Sequence, residues 1–383
     1  MPVDLAWWGT VLGNGHEPLT HRRGRSAHAI DATDETYVLL PHRRDPRVVV
    51  DVSSPDALRD AVSRFADRSL PRAVGRAIPA MNGIIGRFGS RWVVARGEHP
   101  TLREHLSDVL QREVRLNIAV GPPRPNRKPV VRCFVGSEMV AVAKLGPESD
   151  TAALVSNEAD WLQALNDRPL ENIHVPQLLH RGTYGSSELL VMSVLPLATE
   201  TPAPLGDMPT HALEALIGRF GTTNGLRESE YWKDLLARLH PATHDSQSAR
   251  VQATIDSIDS NPATEGLAMS FWHGDWSPWN VAPGTDGRWC IWDWERSAVG
   301  VPIGFDQLHL HYQYGAGLEA GLAALVDGGL STTDAGLIRS LYLLELVARH
   351  VEAGATAADR HTAVIDQLRS HAIGAVAAEG TST

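Results

Sequence analysis

The run His273-Gly-Asp-Trp-Ser-Pro-Trp-Asn280 and the residues after it admit few architectures. Next come Val281–Gly284, a Thr285-Asp-Gly287 turn and the strand Arg288-Trp-Cys-Ile-Trp-Asp-Trp-Glu295. Apolar stretches on both sides of an Asp-Gly turn spell a β-hairpin, which lays residues before and after its turn side by side. Asn280 and Asp293 are thereby expected to meet, with Asp275 five residues back on the entering loop. Hard oxygen donors from two segments, with room left for water and phosphate, suit Mg²⁺ better than a soft metal. Asp275 is then left to accept a proton from a hydroxyl. The competing reading is a buried hairpin with incidental acids, because six of the 11 tryptophans lie within Trp272–Trp294.

A second constraint lies upstream. Val114–Val120, Pro129–Val135 and Met139–Leu145 read as three strands, the last two joined by Gly136-Ser137-Glu138, hence an antiparallel meander. A helix is expected from Ala152 to Leu165, then strands around His174–Leu179 and Leu189–Leu195, and mainly helix after Pro196. Lys144, one of only three lysines, ends the apolar strand Met139–Ala143, where it is costly without a partner. Glu158 shares a helical face with Leu154, Trp161, Leu162 and Leu165. One ion pair between strand and helix resolves both problems; the alternative is two charges snorkelling to the surface. Residues 1–110 read as mixed structure, with short apolar runs at Tyr37–Leu40, Val48–Val52 and Arg91–Ala95 and a helix opened by Ser54-Pro55-Asp56.

The ordered set Asp275, Asn280 and Asp293, with a strand-turn-strand between the last two, resembles the catalytic loop and metal-binding aspartate of the aminoglycoside phosphotransferase / choline kinase-like family. That resemblance, which covers 113–383, implies an α+β, bilobal protein-kinase-like fold with a small antiparallel-sheet N-lobe over 113–195 and a mainly helical C-lobe over 196–383; residues 1–112 precede it as an N-terminal α/β accessory region. It implies ATP or GTP as donor and Mg²⁺ on Asn280 and Asp293, with Asp275 orienting or deprotonating the acceptor hydroxyl. Lys144 would contact the α and β phosphates, paired with Glu158. Leu189–Pro196 would be the last N-lobe strand and hinge, with Met192 near the gatekeeper position and main-chain groups of Ser193 and Leu195 on adenine. The acceptor would be a small-molecule alcohol: an aminoglycoside or other aminocyclitol, a sugar, an amino alcohol or a natural product.

Departures from the protein kinases sharpen this. Gly274 stands where many of them carry an arginine that reads a phosphorylated activation loop, and Asp293-Trp-Glu295 replaces Asp-Phe-Gly. The short path from Glu295 to Pro302-Ile-Gly-Phe-Asp306 leaves little room for a peptide-binding segment, and in the resemblance Asp306 braces the catalytic region. The loop expected to be glycine-rich is Gly121-Pro-Pro-Arg-Pro-Asn-Arg-Lys128, whose prolines cannot donate N–H groups to phosphate. Either Arg124, Arg127 or Lys128 supplies charge there, or the loop is a stiff exposed turn. Trp276 and Trp279 line an acceptor pocket or pack the core, His273 braces the loop, and Glu295 faces metal or substrate or neither.

The chain's 383 residues carry a net charge of −10, which argues against a nucleic-acid binder with a broad basic face. Residues 1–195 hold 24 basic and 22 acidic side chains, while 196–383 hold 11 and 23, so the second half attracts a cationic acceptor or simply wears a solvated acidic surface. No apolar run approaches 20 residues, and the start lacks the zones of a signal peptide. With only Cys133 and Cys290, a reduced, cytoplasmic, membrane-free setting is expected. The rival reading from another class is a nucleotide-binding pseudokinase or regulatory interaction module. Oligomeric state and the identity of the acceptor are left open by the sequence.

Overall fold

The computed structural model describes residues 5–13, 19–23, 35–40, 46–54, 56–61, 90–94, 98–120, 127–199, 203–240, 248–313, 317–352, 364 and 367–368. They fall into two compact units, the first comprising 1–168 and 176–195, the second 169–175 and 196–383.

The first unit is built on one nine-stranded antiparallel sheet. Its elements in chain order are α1 (Leu5–Gly13), β1 (Leu19–Arg23), β2 (Glu35–Leu40), β3 (Val48–Asp51), β4 (Ser90–Val94), α2 (Leu102–Leu110), β5 (Arg115–Val120), β6 (Pro129–Val135), β7 (Glu138–Gly146), α3 (Ser149–Asp167), β8 (Leu178–Tyr184) and β9 (Ser187–Ser193). The strand order is β1-β4-β2-β3-β5-β6-β7-β9-β8. Segment 1–112, expected as an accessory region, thus supplies four strands of the same sheet. The seam is the pairing of β3 with β5, Val48 opposite Ala119 and Val49 opposite Ile118.

One side of this sheet carries a core in which Leu116, Ile118, Val131, Cys133, Ala141 and Ala143 pack with Trp8, Trp92, Leu102 and Leu106. The alternation of β6, which buries Val131 and Cys133 but not Val130 or Arg132, is that of a strand with one face in a core. Gly136 turns the β6–β7 hairpin at φ +58°, a conformation other residues adopt reluctantly. Thr101 caps α2 by accepting the Glu104 N–H, and the Glu104 side chain accepts the Thr101 N–H in return. The strand expected around His174–Leu179 is split. Ile173–His174 belongs to the second unit, where it pairs with Trp289–Cys290, whereas Leu178 opens β8, and Pro176 between them has no N–H for a ladder.

The second unit is mainly helical. It contains α4 (Thr210–Phe220), α5 (Glu230–Leu239), α6 (Ser248–Asp259), β10 (Ala268–Trp272), β11 (Val281–Pro283), β12 (Trp289–Ile291), β13 (Ala298–Pro302), α7 (Phe305–Gln313), α8 (Gly317–Asp327) and α9 (Thr332–Glu352). Helix α9 is apolar on nearly every side between Ala335 and Ala348, which suits a helix surrounded by others. It packs with Trp232, Leu235, Trp272, Phe305 and Leu308 in one core. The expected hairpin forms as β11 and β12, with Val281 opposite Ile291. Strands β10 and β13 are antiparallel, Met269 opposite Pro302, so the loop leaving β10 and the start of α7 lie together. Among the described residues no helix is long and apolar enough to cross a membrane.

Candidate active site

The loop from His273 to Asn280 leaves the end of β10 and enters the hairpin at β11. Its first two residues are fixed from outside: the Asp306 carboxylate, on α7, accepts the His273 N–H at 2.6 Å and the Gly274 N–H at 3.0 Å. Full burial pushes the Asp306 carboxyl up to about 7, against the pull of those two donors toward the charged form. Gly274 sits at φ +83°, and a Cβ built there would run into the Arg296 carbonyl oxygen. Glycine at this position is therefore a packing requirement as well as a conformational one.

His273 is fully buried and its Nδ1 accepts the Asp275 N–H at 3.4 Å. Its ring lies 4.7 Å from that of Trp294 and 5.7 Å from that of Trp276. Burial lowers its pKa to about 4, so the imidazole is neutral at pH 7 and serves as a brace. Trp276, 1% exposed, belongs to the core, while Trp279 stands 45% exposed on the same loop.

Asp275 is where the loop presents chemistry. One carboxylate oxygen accepts from the Asn280 Nδ2 at 2.9 Å, and that amide also donates to the Asp275 carbonyl at 2.9 Å. The other oxygen is 3.0 Å from the His309 Nε2. Burial alone would raise the Asp275 carboxyl, but the hydrogen bond from His309 outweighs it and holds the group below its ordinary value. The side chain is still 27% exposed, so it can meet a substrate.

The Asn280 amide nitrogen is spent on Asp275, which leaves its Oδ1 as the atom available to a cation. Trp292 donates its N–H to the Asn280 carbonyl at 3.1 Å, and Asp293 follows at φ +70°. The hairpin thus brings Asn280 to the strand that ends in Asp293, as its sequence predicts. An amide oxygen and a carboxylate form an all-oxygen donor set, the kind Mg²⁺ takes. Glu295 lies in the turn after Asp293, half-buried.

Within the first unit, Lys144 on β7 and Glu158 on α3 make the ion pair their apolar surroundings call for, with Nζ 2.5 Å from Oε2. Both side chains are buried. Gly146 makes this geometry attainable, because a Cβ there would stand 2.5 Å from the Ala152 Cα. Ser193 ends β9 opposite Ala141 of β7, and its N–H donates to the Gln177 carbonyl at 2.9 Å. Leu195 lies just past the strand and Met192 is buried within it. Arg127 donates to the Pro46 carbonyl and stacks on Trp7 at 5.5 Å. Arg124 lies outside the described residues.

Sequence reasoning missed the groups that surround Asp275 from the C-terminal helices. His309 follows Asp306 by three positions on α7, and its Nδ1 is 2.8 Å from the Tyr342 hydroxyl on α9. Arg349 donates to the Gly274 carbonyl at 3.1 Å and to Glu345 at 3.0 Å, and its guanidinium lies 4.7 Å from the Trp272 ring. Burial and the like charge of Arg349 lower Arg296 to about 10. The one sequence signal was local: His309 lies on the helical face of Asp306, at the i+3 spacing.

The chain combines an antiparallel-sheet unit with a mainly helical one, the architecture of a protein-kinase-like fold. Residues 131–337, more than half of the chain, match the model of the phosphotransferase enzyme family, and the chain belongs to that family. None of the curated proteins matches it.

Among solved structures, the chain is similar to a thermostable mutant of aminoglycoside phosphotransferase APH(4)-Ia in its apo form, with 13% identity and a TM-score of 0.51 over 74% of this chain and 100% of that one. The D198A form of that enzyme, in a ternary complex with ADP and hygromycin B, gives 14% identity and a TM-score of 0.51, over 74% of this chain and 99% of that one. Choline kinase LicA from Streptococcus pneumoniae gives 16% identity and a TM-score of 0.47, over 70% and 98% of the two chains.

Proposed function

We propose that this chain transfers the γ-phosphoryl group of ATP to a hydroxyl of a small molecule, with Asp275 as the general base. The observation that carries the reading is the Asp275 carboxylate, anchored through both oxygens on a loop braced by Asp306 yet still exposed to a substrate. Phosphoryl transfer asks of a protein chiefly that it position the reactants and meet the developing charge. Asp275 would accept the hydrogen bond of the acceptor hydroxyl, aim its oxygen, and take its proton as the bond to phosphorus forms. Lys144, held by Glu158, would bind the α and β phosphates, and main-chain groups of Ser193 and Leu195 would bind adenine. Asn280 Oδ1 and the Asp293 carboxylate would hold Mg²⁺, which when bound neutralises charge on the phosphates.

Acidic side chains outnumber basic ones 23 to 11 in residues 196–383, which supports a cationic acceptor such as an aminocyclitol or amino alcohol. The bound ADP and hygromycin B of the similar D198A enzyme support a nucleotide donor and a hydroxylated small acceptor. The test is a transfer screen with radiolabelled ATP across aminoglycosides, sugars and amino alcohols, products being identified by mass spectrometry. A phosphorylated product that depends on Asp275 supports the reading. Nucleotide binding with no transfer to any acceptor class would favour a pseudokinase, the reading suggested by the prolines at 122, 123 and 125.

A further inference from the structure

The polar chain behind Asp275 has one consistent arrangement of protons. An ionised carboxylate only accepts, so the His309 Nε2, 3.0 Å from Asp275 Oδ1, must carry a hydrogen. His309 is 3% exposed, and its burial lowers its pKa even though Asp275 pulls the other way, so the ring is neutral at pH 7. A neutral imidazole has one N–H; with that on Nε2, Nδ1 is an acceptor. The group facing Nδ1 is the Tyr342 hydroxyl at 2.8 Å, itself fully buried and able to donate. A backbone carbonyl there would demand the opposite tautomer and turn the Nε2 lone pair against the carboxylate.

We propose that Tyr342 and His309 form a positioning pair for the candidate base, in which the Tyr342 hydroxyl fixes His309 as the Nε2–H tautomer and that N–H holds Asp275 in its reactive orientation. The inference rests on the phosphotransferase reading of the site and extends it to two residues on α7 and α9. Asn280 holds one oxygen of Asp275 and His309 the other, so the carboxylate cannot turn about its terminal torsion without breaking a bond. A carboxylate has about four lone-pair directions. Two are taken by these donors, which leaves others for a substrate hydroxyl at the exposed part of the side chain. Because misplacement of a reacting group by an ångström is expensive in rate, loss of the pair shows in turnover before it shows in binding.

Three variants and one spectroscopic measurement test this. His309→Leu removes the donor, His309→Gln keeps an N–H at a similar reach, and Tyr342→Phe removes the hydroxyl alone. His309→Leu is expected to lower kcat by roughly 10- to 100-fold, the size usual for a partner that orients a reactive ligand, with the KM for ATP within about twofold. His309→Gln should recover most of that loss, which a purely structural role would not produce. In protein labelled with ¹⁵N-histidine, the resonance assigned by its absence in His309→Gln should show the Nε2–H tautomer, and Tyr342→Phe should mix the two tautomers.

The proposal is overturned by a His309→Leu enzyme with wild-type kcat, by a His309→Gln enzyme no better than His309→Leu, or by an Nδ1–H tautomer in the wild type. Asp275→Asn separates the two levels. If it retains full turnover, the phosphotransferase mechanism itself falls; if it is inactive while His309→Leu is fully active, only the positioning pair falls. Should His309→Leu fail to fold, or should no acceptor be turned over, the tautomer of His309 decides.

Discussion

Asp275 separates a working transferase from a nucleotide-binding relic, because its carboxylate is engaged by two side chains and still reaches solvent. Asp275→Asn keeps shape and loses basicity, so turnover should fall by roughly 10²–10⁴ while ATP affinity, measured by calorimetry, stays nearly unchanged. Gly274 makes a prediction of a different kind. Gly274→Ala drives a methyl group into the Arg296 carbonyl at φ +83°, so the loop must shift, and a loss of about 1–3 kcal/mol in a denaturant titration is expected. His273 supplies a pH dependence. Its folded pKa, about 4, lies below the unfolded value near 6.5, so unfolding takes up a proton between those limits. Stability from this residue is complete above about pH 6.5 and is lost as pH falls toward 4, by about 3 kcal/mol at the lower end. The raised carboxyl of Asp306 works in the opposite sense, favouring the fold as pH falls from 7 toward 4. The informative quantity is therefore the difference in melting temperature between wild type and His273→Asn across that range, which should narrow on acidification.

At the scale of elements, the Lys144–Glu158 pair ties strand β7 to helix α3, and both groups are buried. Glu158→Leu removes the carboxylate 2.5 Å from the ammonium and should destabilise the protein by about 3–5 kcal/mol in denaturant titration. The double variant Lys144→Met/Glu158→Leu should be closer to wild type in stability, since no buried charge is stranded, yet should bind ATP poorly. An equal loss in single and double variants would mean that packing, and not charge pairing, sets the cost. This pair was legible in the sequence because each residue interrupts an otherwise apolar pattern of its own period, two for the strand and 3.6 for the helix. The candidate catalytic loop was legible for a related reason: Asp275, Asn280 and Asp293 lie within 19 consecutive residues, where a hairpin fixes what meets what. His309, Tyr342 and Arg349 were not, since His309 and Arg349 reach the loop from helices 34 and 75 residues away and Tyr342 acts on His309, and side-chain types on an apolar helix do not say which neighbour they face. The same limit applies to the sheet. The apolar runs at 37–40 and 48–52 read as strands, but their membership in the sheet of β5–β9 rests on pairings such as Val49 with Ile118 that no local pattern records.

For the molecule as a whole, that pairing decides what the N-terminal segment is for. Strands β1–β4 continue the sheet past β5, and α1 and α2 cover it with Trp8, Leu102 and Leu106 against Leu116, Ile118 and Val131. A protein shortened to 113–383 would turn β5 from an interior strand into an edge with unpaired N–H and C=O groups, and would bare the apolar side chains now covered. Arg103 on α2 pairs with Glu35 and with Asp51, so the lost helix also anchors the lost strands; the segment goes as a unit. The shortened chain is therefore expected to aggregate, or to elute as mixed oligomers in size-exclusion chromatography. The nucleotide binding proposed for the full chain should be lost, although Lys144, Glu158, Asp275, Asn280 and Asp293 are all retained. If residues 113–383 instead run as a single soluble species with a cooperative melt near that of the full chain, the N-terminal strands are a detachable addition to the sheet. Charged substitutions on the newly exposed edge offer an intermediate check. Ile118→Lys in the full chain places a charge in the buried core and should destabilise it severely, whereas in the shortened chain the same change should improve solubility, because a lysine on an exposed edge discourages strand addition.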